Sequence, residues 1–183
     1  MATQRRTTRQ AGKILSADNR TKSRYEFDDD NRAARLRNKA RNRFFERVEF
    51  LRRVVAELEL DGVEIFHGRA EELARQKIFR EQFDAVTSRA VARLNFLAEY
   101  CLPFVKVGGK FIALKGKSFR EELDEAQSAI KILGGGEIFV REMSLPTLDE
   151  KRAVIYVSKK KSTPEKFPRR ESLIRKNFLG RTN

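Results

Sequence analysis

Two short clusters have the residue types to hold an anionic ligand: Ser88-Arg89 and Lys115-Gly116. Each ends an apolar, β-rich run, Phe83–Thr87 and Lys110–Leu114, with a helical pattern over Leu94–Lys106 between them. In alternating α/β chains, ligands bind outside the carboxyl ends of the strands. An arginine there pairs with a carboxylate or phosphate through two parallel hydrogen bonds, and a lysine acts as a point charge. The bland reading of Arg89 is a surface salt bridge; its place in a strand-end loop favours a ligand role.

The remaining reactive side chains point elsewhere. His67 is the sole histidine and lacks Cys or carboxylate companions at ligand spacing, so it reads as structural. Cys101 is the only cysteine and lies in an apolar stretch, which indicates a buried thiol and excludes an internal disulfide. Asp28-Asp29-Asp30-Asn31 reads as a helix start. Gly134-Gly-Gly136 follows a helical pattern without a Lys-Ser/Thr pair, so it reads as a helix stop and not a phosphate loop. No catalytic acid, base or nucleophile and no metal site is assigned.

These clusters need elements to position them. An apolar stripe of Phe44, Val48, Leu51, Val55 and Leu58 predicts a helix within 31–60, ended by Asp61-Gly62. Val63–His67 reads as a strand, and Gly68–Glu72 as the turn into a helix running to about Gln76. Gly108-Gly109 reads as a turn into the Lys110–Leu114 strand, which is apolar enough for burial on both faces. A helix over Arg120–Leu133 and strands near 137–141 and 153–157 follow. Strand and helix alternate and two strands close the chain, which predicts an α/β, Rossmann-like sheet with an antiparallel end.

The 183 residues suit one domain. The formal charge of +14 sits on the ends. Residues 1–47 hold 14 Lys/Arg against 6 Asp/Glu, and residues 159–183 hold 9 against 2. Such ends suit a nucleic-acid partner, and equally suit solvated tails. No apolar run is long enough to cross a bilayer and no signal peptide starts the chain, so no membrane partner is expected. The lone cysteine fits a reducing, cytoplasmic compartment.

From about Val48 to Arg170 the chain resembles the small-subunit ribosomal RNA guanine-N7 methyltransferases, the glucose-inhibited division protein B family. The resemblance is carried by Val48–Val55, His67–Glu72, Val86–Arg93, Tyr100–Gly116, Lys151–Ile155 and Thr163–Arg169. It implies a class I S-adenosylmethionine-dependent methyltransferase fold. It also implies methylation of guanine N7 in small-subunit ribosomal RNA, with the RNA or the small ribosomal subunit as partner. Ala70 and Glu71 would lie against the cofactor's adenine, and Arg89 near the cofactor. The backbone of Arg69-Ala70-Glu71 can offer N–H and C=O groups to an adenine edge. Glu71 and Glu72 also suit a helix start on their own. Lys115, Lys117 and Arg152 are the leading RNA candidates, with Arg120, Lys151, Lys159–Lys161, Lys166, Arg169 and Arg170 as electrostatic support.

The family pattern is incomplete upstream. A glycine-rich loop after the first strand is absent, since only Gly12 precedes Gly62, and the ribose-binding acidic position falls near Asn42. The sheet is therefore expected to lack its first two strands, with no replacement strand in residues 1–47. The expected organisation is a basic segment without stable order (1–30), an incomplete methyltransferase domain (31–160) and a basic tail (161–183). Two alternatives stay open: a non-catalytic basic RNA-binding protein, and a class I methyltransferase with another substrate.

Overall fold

A computed structural model describes residues 14–18, 48–89, 92–145 and 148–180. They fall in two compact units, 14–18 with 70–180, and 48–69. The Asp28–Asn31 cluster, Asn42 and Phe44 lie outside the described residues.

The larger unit is a five-stranded sheet with helices. Its elements are β1 (Ile14–Asp18), α2 (Ala70–Leu73), β2 (Phe83–Arg89), α3 (Leu94–Cys101), β3 (Val105–Lys115), α4 (Phe119–Ile132), β4 (Gly135–Leu145), β5 (Leu148–Lys159) and α5 (Glu171–Lys176). In the smaller unit, residues 48–57 form helix α1. The strand order is β1-β2-β3-β5-β4. β1, β2 and β3 run parallel, and β5 and β4 add antiparallel. This is the α/β sheet with an antiparallel end that the residue pattern predicts.

Within the described residues of the sheet unit, helices α3 and α4 cover one face of the sheet, and the other is the open face. Val86, Phe111, Ala113, Ile155 and Val157 are buried with Leu94, Leu97 and Ala98 of α3 and Ala126 and Ile130 of α4. Alternation along each strand puts the intervening residues on the opposite face. There Leu114 and Phe139 are 41% and 65% exposed. The expectation that the third strand is buried on both faces is therefore corrected: β3 is buried on alternate residues only.

Several boundaries move for identifiable reasons. The helix expected to reach Lys106 stops at Cys101, because Pro103 opens a 3-10 turn over Leu102–Phe104. β3 then starts at Val105 and contains the Gly-Gly pair. A Cβ on Gly109 would sit 2.7 Å from the Asp84 carbonyl oxygen, so only glycine lets β2 and β3 approach here. Gly134, at φ +87°, ends α4 as expected, and its carbonyl accepts from the backbone N–H of Lys160 and Lys161.

Two corrections concern the missing strands. Val63–His67 forms no strand, and Val63 and Phe66 are about half exposed. Residues 14–18, expected to form no strand, are β1. Their backbone pairs with β2 from Ile14↔Ala85 to Asp18↔Arg89. A bare β2 edge would leave its N–H and C=O groups unpaired, and the short run Ile14–Ala17 supplies a partner. In the smaller unit, Val48 and Val55 of the expected stripe are half-buried, and Leu51 and Leu58 are 48% and 63% exposed.

Residues 160–176, expected as a basic tail, pack onto the sheet unit. Phe167 and Ile174 are buried. Arg80 donates to the carbonyls of Phe167 (2.9 Å) and Thr163 (2.7 Å), and Arg75 donates to that of Pro168 (2.7 Å). The Lys159 ammonium is fully buried and donates to the carbonyls of Leu102 (2.8 Å) and Leu133 (3.2 Å) and to the Thr163 hydroxyl, with Glu81 3.5 Å away. Burial lowers its pKa from 10.5 to about 8, against the pull of Glu81. Below about pH 8 the folded protein carries a buried charge. Between about pH 8 and 10.5 the unfolded chain holds more protons than the folded one, so this lysine's contribution to stability rises with pH. Urea unfolding of wild type and Lys159→Met should therefore show their stability difference shifting in favour of wild type from pH 8 to 10. A difference that is flat with pH contradicts the assignment.

Candidate functional site

β2 and β3 end side by side, with Arg89 opposite Leu114 in the register and Lys115 one residue further. Partners in register share a face, so Arg89 lies on the open face and Lys115 on the helix-covered one. Exposure agrees: Arg89 and Leu114 are exposed, whereas the Lys115 side chain is 10% exposed.

Lys115 has an internal role. Its ammonium sits 2.5 Å from Glu122 Oε2 of α4 and donates to the Ala92 carbonyl at 2.8 Å. The same carboxylate oxygen accepts from Leu94 N–H at 2.9 Å, at the start of α3. One carboxylate thus joins β3, α3 and α4. The expectation of Lys115 as the leading RNA contact, facing a crevice shared with Arg89, is corrected. The signal for its partner was Glu122, seven residues on across the Gly116–Ser118 turn into a helix.

Lys117 is exposed in that turn. Arg152 is half-buried on β5, and one of its terminal nitrogens lies 3.2 Å from where a Cβ on Gly116 would stand. Arg169, a supporting candidate, is held by Glu99 and not offered to a ligand. Arg120 pairs with Glu142 at 2.6 Å on the surface.

Ala70 opens α2 and is half-buried against the core. Glu71 is buried, near Tyr100 of α3. Burial pushes the Tyr100 phenol up to about 12, and the negative charges of Glu171 and Glu71 add to it. The Glu71 side chain therefore belongs to the packing of α2 on α3. Cys101 is buried and burial pushes its thiol up to about 12, partly offset by Ser88, so it has no nucleophilic thiolate.

Strands β1 and β2 present adjacent carboxyl ends at Asp18 and Arg89. A nucleoside ligand of a parallel sheet belongs there. The residues after β1 are Asn19-Arg20-Thr21, with no glycine to admit a close backbone approach. Ala70, Glu71 and Arg89 lie in the sheet unit, and the chain carries no glycine between Gly12 and Gly62.

Residues 42–154 match the model of the family described as rRNA small subunit methyltransferase G. The chain belongs to this family. The match spans all six candidate residues and excludes β1. One relative, the Ribosomal RNA small subunit methyltransferase G of Lactobacillus acidophilus, is 48% identical over 130 residues, 71% of this chain and 54% of the relative. Another, of the same name from Exiguobacterium sibiricum, is 48% identical over 134 residues, 73% of this chain and 56% of the relative. The chain spans about half the length of the curated relatives it matches. Among solved structures, it is similar to a spermidine synthase from Thermotoga maritima: 17% identity, 74% of this chain and 47% of that chain, TM-score 0.44. No helix among the described residues is long and apolar enough to cross a membrane.

Proposed function

We propose that the chain transfers a methyl group from S-adenosylmethionine to guanine N7 in small-subunit ribosomal RNA, in the cytoplasm, with weakened cofactor binding. Family membership over residues 42–154 carries this reading. Ala70 and Glu71 hold the adenine edge through their backbone, and Arg89 pairs with the cofactor's carboxylate. When bound, the cofactor supplies a methyl group on a positively charged sulfur. Guanine N7 presents a lone pair, so no base has to remove a proton before attack. Alignment of the reacting atoms is the protein's contribution. That requirement agrees with the inert Cys101 thiol. Lys117 and Arg152 engage RNA phosphates.

The test is methyl transfer from labelled S-adenosylmethionine to small ribosomal subunits and to their naked RNA. Label should appear as N7-methylguanosine and rise with cofactor up to millimolar concentration. RNA binding with no transfer at any cofactor concentration would establish the binding-only reading, which the missing glycine loop favours. Label on protein or a small molecule alone would assign a different substrate.

A further inference from the structure

We infer that the open face of β3, β5 and β4 is a docking surface for single-stranded RNA, centred on Phe139 and Tyr156. The two residues are direct partners across β4 and β5, and their ring centroids are 5.9 Å apart at 44°. Phe139 is 65% exposed, so one ring offers a wide apolar surface. Bases stack on such rings whatever their identity, because every base has a π-face.

Charge on the same face selects the partner. Register and alternation put Lys110, Arg141 and Arg152 on the side of Phe139 and Tyr156. Lys110 and Arg141 are exposed and Arg152 is half-buried. Glu137 lies on this face, and its carboxylate is 3.1 Å from the Lys160 ammonium. An apolar centre with a cationic surround suits bases over the rings and phosphates over the rim. A purely apolar protein face would bury the exposed Lys110 and Arg141 without supplying counter-charges.

Arg89 of β2 shares this face, in the row of Leu114, Val154 and Arg141, and the surface is centred on a different row, that of Ile112, Tyr156 and Phe139. It shares with the proposed function Arg152 and the claim that RNA is the partner. A floppy single strand is favoured over a duplex, because paired bases cannot lie flat on a sheet.

The test is fluorescence anisotropy of the full chain with a labelled single-stranded RNA of roughly 12 nucleotides, within the site sizes of such surfaces. Phe139→Ala should weaken binding by about 5-fold to 100-fold, and Phe139→Trp should restore it. Arg141→Gln should lower the salt slope by about one. The same sequence as a duplex should show no dependence on Phe139. Phe139→Leu keeps an apolar side chain without a ring and should match the alanine variant, which separates stacking from folding. Binding unchanged in Phe139→Ala, or no RNA binding by the wild-type chain, overturns the inference. So does a change in oligomeric state by sedimentation with RNA affinity unaltered, which would make the face a protein interface. A Phe139 effect on binding without any methyl transfer keeps this surface and removes the proposed function; transfer with no Phe139 effect does the reverse.

Discussion

Glu99→Ala should lower the thermal midpoint by about 10 °C or more and free the C-terminal segment. Glu99 lies on α3 and is 1% exposed. Its Oε1 accepts from the Arg169 backbone N–H (2.8 Å) and Nε (2.9 Å), and its Oε2 accepts from a terminal guanidinium nitrogen (2.7 Å). Arg169 also donates to the Asn177 carbonyl and stacks over Phe167, so one carboxylate organises the chain on either side of it. Truncating one partner of a buried pair costs about 3–5 kcal/mol, because the other charge stays buried. A chain of this size loses about 2–4 °C per kcal/mol. Scanning calorimetry measures the drop. Limited proteolysis should show new cleavage at Arg170 or Arg175, while Arg80 and Lys159 still hold Thr163 and Phe167. A drop under about 3 °C with those sites still protected contradicts this account.

The strands around the candidate site were legible because each is long, β-rich and punctuated. Phe83–Thr87 and Lys110–Leu114 both appear, in parallel and in register, and Gly134 stops its helix as read. What was not legible depends on distant partners. Ile14–Asp18 carries too little apolar pattern to announce a strand, and it becomes one through the edge that β2 offers. Val63–His67 has the stronger β pattern and yet forms no strand. The same limit governs the site. Arg89 and Lys115 were both read correctly as strand-end cations. Their faces depend on register, which one sequence does not display, and Glu122 claims the lysine. Residues 160–176 looked like a tail because their anchors are Arg75, Arg80, Glu81 and Glu99, some 70–90 positions upstream.

The second large effect is on the cofactor. On the proposed function, S-adenosylmethionine binds at the adjacent carboxyl ends of β1 and β2. The family resemblance implies two contributions to its affinity that the sequence does not display: a glycine-rich loop that lets backbone N–H groups approach, and an acidic residue for the ribose hydroxyls, whose position falls near Asn42. Each lost hydrogen bond to a charged group costs about 1.5–3 kcal/mol. Losing both weakens binding by about a hundredfold or more relative to a chain that has them. The surviving affinity then rests on Arg89 and on the backbone of Ala70 and Glu71. Arg89→Ala should remove what remains without lowering the thermal midpoint, because the side chain is exposed at the strand end.

Isothermal calorimetry of S-adenosylmethionine against the full chain and its Arg89→Ala variant tests this most directly. We predict a weak, saturable heat, with a dissociation constant above about 100 µM, that disappears in the variant. Micromolar binding by the wild-type chain, or weak binding that Arg89→Ala leaves intact, would show that the cofactor is held by something other than this half-built strand-end site.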